Sequence, residues 1–326
     1  VDEMKIMTPS PTSSYPPLQE AYKVLLQRSD GRTLSVAEGE YPIPKIDLLL
    51  LSGKQKERNK CVEDIVNAAS SLGIFQIVNH DVPLDARQQL LEEAKLSFHR
   101  TNKDNKFHRW GNPQALTLSQ FQWSESFHVS LRDTDANDGF RWGAERFATS
   151  CYAICETLAE ILNRRRNEES DGSFFKENCS MGSCYVRTNR YPRCSVANHV
   201  LGMLPHSDSD FLTVLHHDRV SGLEILIDGK WFAVKSDPKS LIVIVGDLFQ
   251  VFSNDTYKCA KHRVAASEAT ERFSAAFFYC PKSDTEISSY LQPSAYRRFT
   301  FEEYMRQNRK DLEATGNKVG LSRFLL

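Results

Sequence analysis

The chain has 326 residues, of which 40% are hydrophobic and 25% charged, and its formal net charge is -1. That length holds one large or two ordinary domains, and the near-zero charge argues against a general nucleic-acid binder. No apolar run approaches a membrane span, Val1-Asp2-Glu3-Met4 does not read as the opening of a signal peptide, and the eight cysteines form no CxxC pair. Such scattered thiols suit a reduced, cytoplasmic protein, with the nucleus as a further location, better than a disulfide scaffold or a zinc site.

Residues 1–40 read as a peripheral, mobile arm: Pro9 to Pro17 is rich in Pro, Ser and Thr, and Leu18 to Gln27 has the makings of one short helix. Tyr41 to Asp47 reads as an extended edge segment, because its prolines cannot sit inside a sheet. Val62, Ile65, Val66 and Ala69 recur at helical spacing and predict a helix over 55–71, stopped by Gly73. Ile74 to Val78 is a compact apolar strand, followed by a helix over 84–98. His80 between them reads as a polar residue at a strand end, since nothing at metal spacing accompanies it. The aromatic stretch from Trp110 to Ser130 has no clean period, so it reads either as a binding loop or as a packed connection. Phe147, Cys151, Ile154, Leu158 and Ile161 predict the longest helix over 141–163, with Cys151 and Cys155 in the core and Arg164 to Arg166 complementing its C-terminus.

From Ser183 the pattern changes to strands. Tyr185, Arg187, Asn189 and Tyr191 fall on one face of an alternating run, and four polar or aromatic groups on one face read as a pocket wall. Asp228-Gly229 signals a hairpin, Leu241 to Val245 a buried strand, and Arg272 to Cys280 another. A final helix runs from Phe301 to Ala314, with a Thr300/Glu303 capping box and Gly316 as its stop. The fold class is therefore mainly β with flanking helices, built on an antiparallel barrel or jelly roll. Residues 41–180 make a mainly helical N-terminal region, and 181–326 the jelly-roll core with its C-terminal helix.

His206 and Asp208 lie two residues apart in a strand-like run, so both side chains project from one face. With a histidine from elsewhere, His262, they make a facial triad of two imidazoles and one carboxylate that leaves half of an Fe(II) ion open. Arg272 and Ser274 repeat the i, i+2 spacing and suit a carboxylate clamp. A rival cluster, His216-His217-Asp218, starts ten residues after His206, about 33 Å along an extended chain, so both cannot serve one metal. Its polarity reads as a solvated turn.

The set Asn189-Arg190-Tyr191-Pro192, His206-x-Asp208, His262 and Arg272-x-Ser274 resembles the plant 2-oxoglutarate- and Fe(II)-dependent dioxygenases, and the similarity runs from about residue 41 to the end. Within that family, the stretches Trp110–Pro113, Trp123–His128, His206–Thr213, Gly246–Gln250 and Lys318–Phe324 resemble the gibberellin 2-oxidases that act on C20 gibberellins. The resemblance implies a double-stranded β-helix and Fe(II) held by His206, Asp208 and His262. It also implies 2-oxoglutarate bound by Arg272 and Ser274 with help from Tyr191 and Asn189, O2 as oxidant and ascorbate as reductant. The implied reaction is 2β-hydroxylation, and so inactivation, of a small diterpenoid carboxylic acid. A rigid apolar substrate needs an apolar wall and a cation for its carboxylates; Phe121, Trp123, Phe127 and Phe249 are candidates for the wall and Arg187 for the cation. Oxidation of a C19 gibberellin elsewhere on its skeleton, or of another metabolite such as a flavonoid, is the alternative reaction, and a non-catalytic ligand-binding protein the alternative class. The chain departs from the family at Ser207 (usually Thr), Ser221 (Gly), Glu224 (Gln), Ile244 (Asn) and Asp255 (Gly).

Overall fold

The computed structural model describes residues 18–27, 34–99, 108–112, 115–117, 120–131, 139–166, 173–235, 237 and 239–326. The expected mobile stretch Pro9 to Pro17 lies outside them. The described part of the arm makes contacts with the rest of the chain. Helix α1 (Leu18–Gln27) buries Tyr22 against Phe121 and Trp110, and Leu34 N–H donates to Asn198 O at 2.9 Å.

Two short edge strands, β1 (Glu40–Tyr41) and β2 (Lys45–Asp47), flank Pro42 and Pro44, as the prolines require. Helix α2 (Gln55–Ser71) follows and turns at Gly73, where an added Cβ would stand 1.8 Å from Lys258 O. Then come β3 (Ile74–Val78), α3 (Leu84–His99), β4 (His108–Trp110), β5 (Glu125–Ser130), α4 (Gly139–Arg166) and α5 (Ser173–Asn178). The strand-rich half holds β6 (Tyr185–Tyr191), β7 (Leu201–His206), β8 (Leu212–His217), β9 (Leu223–Ile227), β10 (Lys230–Val234), β11 (Leu241–Val245), α6 (Asp247–Phe252), β12 (His262–Ala265) and β13 (Arg272–Tyr279). A small pair, β14 (Glu286–Ile287) and β15 (Phe299–Thr300), precedes α7 (Phe301–Thr315). Thr300 caps α7 by accepting from Glu303 N–H, but the other half of the expected box is diverted: the Glu303 carboxylate pairs with Arg297 at 2.8 Å.

Eight strands form one sheet in the order β2-β3-β11-β8-β13-β6-β5-β4, and five form the other, β1-β10-β9-β12-β7. The two face each other as a jelly roll. Period-2 alternation divides the cores. From β11, Leu241, Val243 and Val245 join α2, α3 and α4 in the larger cluster behind the big sheet, while Ile242 and Ile244 face the small sheet with Leu215, Leu223 and Ile225. Strands β2 to β5 all enter the big sheet: β3 pairs with β11, and β5 with β6. The N-terminal half thus completes the barrel instead of standing beside it.

Candidate active site

Strands β7 and β12 pair with His206 opposite His262, which brings the two rings to a centroid distance of 4.2 Å. The Nδ1 of His206 lies 2.8 Å from Leu204 O, and that of His262 lies 2.9 Å from Ala260 O. A carbonyl can only accept, so each Nδ1 carries the proton and each Nε2 presents a lone pair. Both Nε2 atoms face Asp208 Oδ1, at 3.6 and 3.8 Å. All three donor atoms fall within 4.8 Å of one another, and this is the one His/Cys/Asp/Glu cluster of its kind among the described residues. Burial and the neighbouring His262 push His206 down to about 3, so its imidazole is neutral. Burial alone would raise the Asp208 carboxyl, but the two imidazoles, Thr213 and Lys318 bring it below the ordinary value. Two imidazoles and a carboxylate on one side suit Fe(II).

The surrounding groups fix this face. Thr213 Oγ1 lies 2.6 Å from Asp208 Oδ2 and 3.0 Å from Asp210 Oδ2, and Asp247 N–H donates to Asp208 O at 2.9 Å. Gly246 is required by close approach: a Cβ there would stand 2.2 Å from Asp210 O. Lys318, from the segment after α7, donates to Ser207 O at 2.7 Å and to Asp247 Oδ2 at 2.5 Å, and Tyr304 OH donates to the same carboxylate oxygen. Nothing in the sequence placed Lys318 here; only the return of the C-terminal segment over the His206-Ser207-Asp208 turn does so.

Deeper in the barrel, β13 sets Arg272 opposite Tyr191 and Ser274 opposite Asn189. Arg272 is 3% exposed, its Nε donates to Val220 O at 3.2 Å, and its guanidinium lies 5.1 Å from the Tyr191 ring centroid. Its Nη1 and Asn189 Oδ1 are buried without partners among the described residues, while Asn189 Nδ2 reaches Ser274 Oγ at 3.4 Å. A buried cation with an unsatisfied N–H calls for an anionic ligand, and the far carboxylate of 2-oxoglutarate fits it. Both groups open on one cavity of about 200 Å³, whose wall also carries Tyr185 and Arg187. The four residues expected on one face of β6 therefore all line it.

The expected aromatic wall is a different matter. Phe121 and Trp123 pack with Tyr22 and Val200 in a separate cluster. Phe127 stands opposite Thr188 on β6, on the other parity from Arg187 and Asn189, and packs on Phe98 at 4.7 Å. Phe249 is fully buried among Phe175, Phe211 and Tyr257. None of the four lines the cavity; its apolar wall comes from Met203, Leu215, Leu223, Ile244, Val264 and Phe278. The described residues of the Trp110–Ser130 stretch thus pack as a connection. Its Glu125, on β5, accepts from Arg190 Nη1 at 2.8 Å and meets His108 Nε2 at 2.9 Å, with no side-chain exposure.

His216-His217-Asp218 is not a solvated turn. His216 is 8% exposed at the end of β8, and Asp218 accepts from Phe273 N–H at 2.6 Å and from Val220 N–H at 3.1 Å. Asp218 thereby fastens the residue between Arg272 and Ser274. Of the family departures, Ser207 and Ile244 line the cavity, and Glu224 pairs with Arg263 at 2.6 Å. Asp255 holds the left-handed conformation, φ 63°, that glycine takes most readily.

Residues 178–281 match the 2OG-Fe(II) oxygenase superfamily, and residues 43–151 match the family described as non-haem dioxygenase in morphine synthesis N-terminal. The chain is 40% identical to gibberellin 2-beta-dioxygenase 8 of Arabidopsis thaliana, over 95% of this chain and 98% of that protein. It is 37% identical to gibberellin 2-beta-dioxygenase 6 of Oryza sativa subsp. japonica, over 95% of each. Among solved structures it is similar to JOX2 in complex with 2OG, Fe and JA, with a TM-score of 0.68, 27% identity, and coverage of 92% of this chain and 96% of that one.

Proposed function

Because the chain belongs to the 2OG-Fe(II) oxygenase superfamily, as a relative of the plant gibberellin 2-beta-dioxygenases, we propose that it hydroxylates a C20 gibberellin at C-2, with His206, Asp208 and His262 as iron ligands. It is a 2-oxoglutarate-dependent dioxygenase that requires Fe(II). The observation that carries the reading is the juxtaposition, in one cavity, of the two-imidazole, one-carboxylate face and the buried, unsatisfied guanidinium of Arg272.

When bound, Fe(II) and 2-oxoglutarate supply O2 activation, in which 2-oxoglutarate is oxidatively decarboxylated to succinate and CO2 and one oxygen atom goes to a substrate C–H bond. The residues provide the frame for that chemistry. Leu204 O and Ala260 O hold the Nδ1 protons of His206 and His262, so the Nε2 lone pairs point inward. Arg272 and Ser274 receive the far carboxylate of the co-substrate, with Asn189 and Tyr191 beside them. Leu215, Leu223, Ile244 and Val264 keep water from the reacting carbon and match an apolar diterpenoid. Arg187, whose Nε is buried without a partner among the described residues, receives a substrate carboxylate. The small-molecule partner and the cytoplasmic setting belong to the same proposal; no described helix is long and apolar enough to cross a membrane. The reading divides the chain's labour as well: residues 181–326 carry the chemistry, and 41–180 close the barrel around it.

The test is succinate release from 2-oxoglutarate with Fe(II) and ascorbate present. The proposal expects a C20 gibberellin to stimulate it well above the substrate-free rate. Stimulation by a flavonoid but by no gibberellin would replace the substrate assignment while leaving the oxygenase intact.

A further inference from the structure

Outside the barrel cavity, a cleft of about 1030 Å³ opens between α3, the loop after β3, and the end of β8. On its wall is Arg87, 5% exposed, whose Nε and Nη1 are buried and have no acceptor among the described residues. The buried Cys151 thiol, not a carboxylate, is the titratable group that acts on its charge. The Arg87 charge acts on His80 and His216, both at most 8% exposed and both lining the same cleft. Burial first, and then Arg87, hold both imidazoles below their ordinary value, so they add hydrogen-bonding capacity and no charge. A guanidinium left in this state costs the fold the full desolvation of its N–H groups unless something anionic meets it.

The rim limits what that something is. Its cations, Lys95, Arg219 and Lys239, stand against Asp81, Glu92, Asp218 and Asp237. Lys95 is paired with Glu92 at 2.8 Å, and Asp237 with Lys45 at 3.5 Å. A polyanion would meet those four acidic groups and gain nothing. With Lys45 counted, four cations offset the four carboxylates, so the positive charge left over is that of Arg87, and it suits one negative charge. Val82, Leu84 and Leu91 line the same space and suit an apolar body.

We propose that this cleft is a second binding site, for an apolar monocarboxylate held by the Arg87 guanidinium. It is separate from the cavity: Arg87, His80 and His216 take no part in the metal face or the Arg272 clamp. His216 and Leu215 are neighbours on β8 that face opposite sides of the sheet, one toward the cleft and one toward the cavity.

The full-length protein, loaded anaerobically with Fe(II) and saturated with 2-oxoglutarate so that Arg272 is occupied, is titrated calorimetrically with benzoate. One saturable equivalent is expected, weakened by at least about 10-fold in Arg87→Gln, with inorganic phosphate and chloride far weaker. Absence of saturable binding, equal affinity in Arg87→Gln, or equal binding of phosphate or chloride would overturn the proposal. If Arg87→Gln does not fold, crystals of the unaltered protein soaked with 4-bromobenzoate decide. An anomalous bromine peak in the cleft beside Arg87 supports the site, and a peak confined to the barrel cavity, or none, refutes it.

Discussion

The ammonium of Lys318 donates to the backbone carbonyl of Ser207 at 2.7 Å, and so ties the C-terminal segment to the residue that separates His206 from Asp208. The same ammonium meets Asp247 at 2.5 Å, and Asp247 N–H in turn holds Asp208 O. One cation thus braces both ends of the turn that aims the two proximal donors. Groups that orient metal ligands without touching the metal are typically worth 10–100-fold in metal affinity.

Lys318→Gln should therefore weaken Fe(II) binding by about 10–100-fold, with a smaller effect on 2-oxoglutarate affinity measured at saturating metal. Anaerobic metal titration checks this. Unchanged iron affinity would show that the Ser207 contact does not position the donors.

Arg272→Lys keeps the charge and loses the planar fork. The expected result is a 2-oxoglutarate dissociation constant raised by about 10-fold or more, with Fe(II) affinity nearly preserved. The visible metal-to-ligand band of the anaerobic Fe(II)–2-oxoglutarate complex reports it directly. If that titration does not move, the clamp lies elsewhere.

Two residues expected to serve the substrate together should now separate. Arg187→Met should raise the gibberellin KM by about 10-fold while substrate-independent decarboxylation of 2-oxoglutarate continues. Phe249→Ala should instead cost about 3–5 kcal/mol of stability, as a large-to-small change in a full core, and leave the preference among gibberellins untouched. Steady-state kinetics and denaturant unfolding of the two variants test the pair; a shifted substrate preference in Phe249→Ala would return that ring to the site.

What the sequence made legible was what periodicity encodes. Helices α2 and α3 show their apolar stripes, the Asp228-Gly229 turn carries the positive φ values of 48° and 78° that such a hairpin needs, and the i, i+2 rule put Tyr185, Arg187, Asn189 and Tyr191 on one face. The aromatic wall was misplaced because alternation gives a face but not which side of the sheet that face meets. Phe127 occupies the parity of Thr188, and only the β5–β6 register reveals it. Lys318 and Asp218 were out of reach for a similar reason: each acts through a backbone atom of a segment distant in the chain, Ser207 and Phe273 respectively.

Glu125 offers a check on the packed reading of the aromatic stretch. Its carboxylate is fully buried between Arg190 and His108, so Glu125→Ala leaves Arg190 with Glu271, at 2.9 Å, as its remaining carboxylate. The expected loss is about 1–3 kcal/mol, read as a lower midpoint in denaturant. A variant of full stability whose substrate preference has changed would favour a binding-loop role for this stretch.

The central claim is the reaction itself, and product identification tests it most directly. The protein is incubated with equimolar C20 and C19 gibberellins, Fe(II), ascorbate and 2-oxoglutarate, and the products are resolved by mass spectrometry with NMR assignment of the new hydroxyl. The account predicts a C20 gibberellin hydroxylated at C-2 on the β face as the main product, formed in step with succinate. Preferential turnover of the C19 compound, hydroxylation at another carbon, or succinate formation with no oxidised gibberellin would contradict it.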